Sequence, residues 1–392
     1  MGPAHLSVTP ASVYAQVHRT VSGVLDWSDY KASVTRVQIV DLLVYMASTA
    51  RTLSAAVRRR FPFCPETGRR AVHSQLPAAA DLTAGLAAAL HGVLAFSRLD
   101  RRRRWTVAID THAVPYYGDR ATPGITGGPK KQGTHYFFAY ATAVLLHRRR
   151  RYTVGLIDAA GLRPHEIVAA LFAQIDRHGL AVKGVVLDSA FGGGDTLLWL
   201  QGRTLGYAVP LRRAGTGVNR RNACFAWAHG TVGTVEWTTD VSRRAVSVRV
   251  LVWRLAAKKG AAKKGSKERM RVFAFSGWGD AEAVAERRRA WLARRRYRER
   301  FAIETSYRQK NTMRGWTTGR DARYRLLLEG IAHLLRQVWI VLTEAIARAR
   351  QLKPTDWIAD FTGQDLTDWL RERLENRYAS QRGIPLASSR LT

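Results

Sequence analysis

Two short apolar runs each end on an aspartate: residues 105–109 (WTVAI) before Asp110, and residues 182–187 (VKGVVL) before Asp188. What lies between them limits how the chain can fold. Residues 135–146 (HYFFAYATAVLL) form a long aromatic and apolar stretch, and residues 152–157 (YTVGLI) a shorter one, with the basic run 148–151 as a hairpin tip. Residues 164–178 (PHEIVAALFAQIDRH) then read as an amphipathic helix opened by a proline. After Asp188 come a short helix over 196–205 and a fifth strand over 207–211. The second and third strands make a hairpin, and the first pairs beside them as an antiparallel meander. A helical crossover delivers the fourth strand parallel to the first, because parallel neighbours need a long connection. The two aspartate-bearing strands then lie side by side.

That order, three strands, helix, strand, helix, strand, is the order of the RNase H-like fold. The expected class is therefore α/β: an RNase H-like mixed sheet flanked by helices. Residues 1–100 read as a helical N-terminal domain with a DNA-binding or accessory role. Val37, Val40, Val44 and Ala47 share a face in a helix over 37–60, which ends in Arg58, Arg59 and Arg60, and a second helix covers 76–94. A helix-turn-helix and a plain bundle both fit this pattern. Residues 101–215 form the first part of the sheet domain. Residues 216–280 read as a β-rich insertion with strand-like segments 232–241, 245–255 and 269–278, broken by the basic low-complexity loop 258–267 (KKGAAKKGSK). Residues 281–350 return to helix, over 281–309 and 324–350, and complete the sheet domain. Residues 351–392 form a helical tail, frayed from Gly383.

Composition narrows the function. Sixty-three Lys and Arg against thirty Asp and Glu give a net charge of +33. Such a surface repels itself without a polyanion, and nucleic acid supplies one through counterion release. The runs 101–104, 148–151, 258–267 and 294–296 are the expected phosphate grips. The two cysteines, Cys64 and Cys224, form no C-x-x-C pair, which excludes a zinc ribbon. The apolar stretch 326–342 carries His333 and Arg336, and the N-terminus lacks a basic-then-apolar leader pattern. The expected location is the cytoplasm, at the nucleoid.

Asp110 and Asp188 suit phosphoryl transfer by two divalent cations, which needs carboxylates gathered from neighbouring strand ends. Glu304 is the third candidate. It lies in YRERFAIETSYRQK (297–310), where helical spacing aligns Tyr297, Arg300, Glu304 and Arg308. By spacing alone, an exposed ion-pair ladder, Arg300 to Glu304 to Arg308, is the better reading of that stripe. Other acids read as local structure: Asp119 lies in a polar Gly/Pro/Arg loop, Asp195 caps the next helix, and Glu166 opens a helix at the surface. His112 and His135 stand where they could approach the acids.

IDTHAVPYYG around Asp110, GTHYFFAYATA (133–143), VLDSAF around Asp188 and YRERFAIETSYRQK resemble DDE-type insertion-sequence transposases of the subgroup with a Y-x-x-R-x-x-x-E motif and a β-rich insertion before the glutamate. The resemblance covers about residues 100–345. It implies a cut-and-paste DNA transposase. Asp110, Asp188 and Glu304 would hold two Mg²⁺ or Mn²⁺ ions, cleave transposon ends and join them to target DNA. It implies double-stranded DNA partners, namely terminal inverted repeats and target, and a homodimer on paired ends. Tyr297 and Arg300 would hold DNA phosphate. The family's basic residue falls at Asn311 here; Lys310 precedes it immediately and Arg308 lies one turn after Glu304, so both are candidates for DNA contact. The family's base-stacking tryptophan has three counterparts, Trp237, Trp253 and Trp278, of which Trp237 is taken. A junction-resolving nuclease without strand transfer and a non-catalytic DNA-binding relative are the alternatives.

Overall fold

The computed structural model describes residues 8–97, 99, 102–147, 150–213, 220–254, 270–277, 286–300, 302–352 and 361–379. The basic loop 258–267, Trp278, and the residues from Gly383 on lie outside them.

The chain begins with helices α1 (Pro10–Ser22), α2 (Arg36–Thr49), α3 (Leu53–Arg60), α4 (Pro65–His73) and α5 (Ala79–Leu94). Reciprocal side-chain and backbone bonds between Thr9 and Ser12, and between Thr35 and Gln38, start α1 and α2. The single helix expected over 37–60 is two. Ala50 closes α2 in the left-handed region at φ 48° and ψ 43°, and the Thr52 hydroxyl accepts from the Ala55 N–H to restart the chain as α3.

The sheet follows: β1 (Trp105–Tyr116), β2 (Ile125–Lys131), β3 (Thr134–His147), β4 (Arg150–Asp158), helix α6 (Pro164–Arg177), β5 (Val182–Leu187), helix α7 (Gly194–Gly202), β6 (Gly206–Leu211), β7 (Val232–Thr238), β8 (Ala245–Arg254) and β9 (Met270–Phe275). Its path is β2-β3-β1-β5-β6-β9-β8-β7, with β4 also on β3. As expected, β1 runs antiparallel to β3 and parallel to β5, and β3 and β4 form a hairpin. The six residues from Trp105 to Asp110 are all buried, as in a strand covered on both faces. β1 does not stop at Asp110: the long β3 offers partners from Thr106↔Leu146 out to Tyr116↔Tyr136. Residues 125–131, not among the expected strands, form the edge strand β2 along the same stretch of β3. The expected β-rich insertion does form strands, but β9 pairs antiparallel with β6, so these strands continue the main sheet. Gln174 of α6 pins helix to sheet: its amide accepts from the Leu156 N–H and donates to the Leu156 carbonyl, both at 3.0 Å.

The helix expected over 281–309 is also broken, into α8 (Glu286–Glu299) and α9 (Ala302–Asn311), and the chain ends in α10 (Ala322–Ala349) and α11 (Gly363–Arg377). The chain divides into two compact units, residues 1–99, 121–123 and 307–392, and residues 100–120 and 124–306. This differs from the expected division: residues 307–392, assigned partly to the sheet domain and partly to a tail, belong with the N-terminal helices.

In that helical unit α10 is the buried axis. Its Gly330 meets α5 closely, since a Cβ there would lie 2.3 Å from Leu86 Cδ2. Gln337 donates to the Leu90 carbonyl at 2.9 Å. The buried Asp41 of α2 accepts hydrogen bonds from Tyr14 of α1 at 2.6 Å and from Tyr378, just after α11, at 2.7 Å. The first and last helices are thus tied through one carboxylate.

Candidate carboxylate site

In the sheet unit, β1 and β5 bring two acids together by register. Ile109 pairs with Leu187 across the parallel strands, so the next residues, Asp110 and Asp188, stand on neighbouring strands about 4.8 Å apart in the sheet. Asp110 is buried inside β1, opposite Thr142 of β3. Asp188 is half-buried where β5 gives way to the 3-10 turn Ser189–Phe191, and one of its oxygens accepts from the Ala190 N–H.

Arg300 occupies the joint between α8 and α9. Its N–H donates to the Tyr297 carbonyl at 3.0 Å, and its own carbonyl accepts from the Ile303 N–H at 2.8 Å. This break turns the guanidinium to Asp110, with Nη1 3.0 Å from Oδ2. Tyr297 lies 5% exposed beneath it, its ring 5.6 Å from the guanidinium and 5.1 Å from the Phe273 ring. Glu304 follows in the first turn of α9, exposed.

Electrostatics tie the three acids together. Burial pushes the Asp110 carboxyl up to about 6; Arg300 opposes the shift, and the negative charges of Asp188 and Glu304 reinforce it. Arg300 is buried too, which disfavours its charge, but Asp110, Tyr297 and Asp188 more than offset that and hold its pKa above the usual arginine value. Among the described residues, no three of His, Cys, Asp or Glu stand close enough to form a ready-made metal centre. The donors are still of the type that Mg²⁺ and Mn²⁺ take, carboxylate oxygens only. Their mutual repulsion is what a cation relieves, and Arg300 partly relieves it here.

The expected stripe along one helix dissolves. Tyr297 and Arg300 are buried at the joint, whereas Glu304 and Arg308 are exposed on α9. Lys310, expected at DNA, is fully buried in the helical unit. Its Nζ bonds Glu329 of α10, which also receives Arg314 at 3.2 Å and faces His333 at 3.5 Å. Burial lowers the Lys310 pKa and Glu329 opposes the shift. The signal for this was in the sequence: a glutamate inside an apolar helix demands a cation.

Trp237 is half-buried on β7, its Nε1 so near the start of α7 that a Cβ on Gly194 would lie 2.7 Å from it. Trp253 meets the His229 ring edge-on at 4.7 Å and has the Arg294 guanidinium 3.6 Å from its centroid. Both tryptophans pack. Trp291 on α8, which spacing did not single out, is 47% exposed. His112 follows Asp110 by two on β1, hence on the same face, while His135 pairs with the Gly128 carbonyl at 3.1 Å on the sheet edge. Asp195 does not cap its helix; it accepts from the Val241 and Ser242 N–H groups at 3.1 and 3.0 Å and fixes the β7–β8 turn. Glu166 accepts from the Arg163 N–H at 2.7 Å at the start of α6.

No protein-family model matches the chain, and no curated protein matches it in sequence. Among solved structures it is similar to a piggyBac transposase, determined by cryo-EM as a synaptic complex with hairpin DNA. The TM-score is 0.57 at 10% identity, over 100% of this chain and 89% of that one. The chain has a transposase-like fold.

Proposed function

We propose that this protein is a DNA transposase of the DDE type, in which Asp110, Asp188 and Glu304 on an RNase H-like sheet hold two Mg²⁺ or Mn²⁺ ions. One observation carries the reading: the β1–β5 register sets Asp110 beside Asp188, and the charge of Glu304 reaches the same carboxyl. The transposase-like fold and the charge of +33 support it.

The cations, when bound, would supply Lewis acidity and a readily deprotonated water for phosphodiester attack. The chain's own part is to concentrate negative charge on neighbouring strands and to hold it rigidly. Asp110 lies within a paired strand and is buried, which limits the room its carboxylate has to move. Arg300 pairs with Asp110 at 3.0 Å, and its guanidinium, buttressed by Tyr297, is of the kind that would also hold a DNA phosphate. Arg308, exposed one turn beyond Glu304, would add a second phosphate contact. Terminal inverted repeats and target DNA would be the substrates, and two copies of the chain would hold paired ends, at the nucleoid. Because Lys310 is buried against Glu329 and Trp237 packs against the start of α7, this reading gives neither a role at DNA.

The test is a plasmid carrying the gene with its natural flanks, incubated with protein and Mg²⁺. Excised and rejoined products are expected. Cleavage without joining would make the protein a nuclease instead, and salt-sensitive binding without cleavage would make it a non-catalytic DNA-binding protein.

A further inference from the structure

The sheet unit carries a concave surface at the other end of the strands from the acids. Arg103 and Arg104 before β1, Thr106 within it, Leu146 and His147 at the end of β3, Lys183 in β5, and Arg296 and Glu299 of α8 line a cleft of about 370 Å³. Two separate basic runs of the sequence, 101–104 and 294–296, converge here with Lys183. Four cations face one carboxylate, Glu299, which Arg296 already holds at 3.1 Å. Arg151, paired with Leu146 across β3 and β4, adds a buried fifth charge within electrostatic reach of Glu299. Like charges gathered in a concavity repel each other and focus a positive field, which a polyanion relieves.

The position of the cleft matters. Thr106 and Asp110 lie four residues apart on one strand and point to the same face, about 13 Å at ~3.3 Å per residue. The end of α8 borders both places: Arg296 and Glu299 line the cleft, and the next residue, Arg300, reaches Asp110. That separation is about the rise of four base pairs along the axis of duplex DNA, at ~3.4 Å each. Of the two rings in the cleft wall, Trp105 is 4% exposed with the Arg103 guanidinium 5.1 Å over it, and His147 packs against Trp105 with ring centroids 5.0 Å apart. The surface therefore offers charge without a stacking platform, and arginine forks suited to phosphate oxygens.

We propose that this cleft grips the phosphodiester backbone of duplex DNA about four base pairs from the strand held at the carboxylates. It rests on the DNA reading above and assigns that reading a second, non-catalytic anchoring site, in which Arg104 and Lys183 contact phosphates and Glu299 tempers the affinity.

The experiment measures affinity of the full chain for a random-sequence duplex across a range of salt concentrations, with circular dichroism to check folding. Arg104→Ala combined with Lys183→Ala should make the slope of log affinity against log salt shallower by about 1.8, at about 0.9 for each phosphate that is no longer neutralised. Glu299→Gln should tighten binding, and this variant serves if the double one misfolds. Unchanged slope and affinity in folded variants, with binding retained, would overturn the cleft and leave the DNA reading standing. Absence of any salt-sensitive binding by the unaltered protein would overturn both. Equal changes on a single-stranded oligonucleotide, with none on duplex, would overturn the duplex assignment.

Discussion

Two acid–base clusters in this protein are built from the same residue types and reach opposite states. At Asp110, one arginine faces three acids, and Asp188 and Glu304 open to solvent. At Glu329, three basic side chains face one acid, with Lys310 0% and Glu329 1% exposed. The first has surplus negative charge and access; the second has its charge satisfied and sealed. A buried pair that is complete gives the fold a fixed register, while an incomplete one beside solvent is a place to take up a cation. The difference in exposure and in net charge, rather than the presence of ion pairs, sets the proposed cation site apart from the sealed cluster.

The largest effect should come from the open cluster. Asp110→Asn, Asp188→Asn or Glu304→Gln should each cut Mg²⁺-dependent DNA cleavage by about a thousandfold or more, as loss of a charge-stabilising group at a reacting centre does. Salt-sensitive DNA binding should persist, as read by gel retardation. Undiminished cleavage in any one of them would erase the distinction between the clusters.

The sealed cluster should answer in stability. Lys310→Met leaves Glu329 short of its closest cation and should cost about 3–5 kcal/mol in denaturant unfolding. Adding Glu329→Gln to it should recover part of that loss. If Lys310→Met instead weakens DNA binding at unchanged stability, the lysine belongs with the DNA contacts after all.

The same substitution type should have the opposite sign at the open cluster. The Asp110 carboxyl is raised from 3.8 to about 6, so its charge opposes folding: between these values the folded protein binds more protons than the unfolded one, and stability falls as pH rises. Asp110→Asn should therefore raise stability above pH 6 by up to about 3 kcal/mol, at 1.36 kcal/mol per pH unit. The gain should shrink to nothing as pH falls through 6 toward 4. Thermal unfolding across pH would expose a constant or reversed difference.

A smaller effect concerns cation uptake. Mn²⁺ affinity should be flat above pH 6 and drop by up to tenfold per unit below it, because the protonated Asp110 must give up its proton to bind. A calorimetric titration with no break near pH 6 would separate Asp110 from the cation.

The parts of this arrangement that the sequence made legible were local and periodic. The runs before Asp110 and Asp188, the aromatic strand at 135–146 and the proline-opened helix fixed which strands are neighbours, and therefore that the two aspartates meet. What escaped depends on contacts across the chain. No glycine or proline marks the break between α8 and α9; the joint at Arg300 shows itself only through the ion pair with Asp110. Likewise, an alanine gives no warning of a helix end, and only Thr52 hinted at the restart after Ala50. Glu329 inside an apolar helix announced the need for a cation, but not that Lys310 would supply it. The union of first and last helices rests on Asp41 receiving hydroxyls from Tyr14 and Tyr378, which no spacing rule connects. β7–β9 were legible as strands but not as a continuation of the sheet, since their order depends on pairing with β6.

The most direct measurement of shared cation binding by the three acids is iron-directed cleavage of the chain itself. Fe²⁺ substituted for Mg²⁺, with ascorbate and peroxide, cuts the backbone beside its ligands. Mapping the fragments by mass spectrometry should give cuts next to residues 110, 188 and 304, suppressed together by excess Mg²⁺ and lost together in Asp110→Asn. Cuts absent from these three positions, or surviving in that variant, would contradict a single cation centre built from Asp110, Asp188 and Glu304.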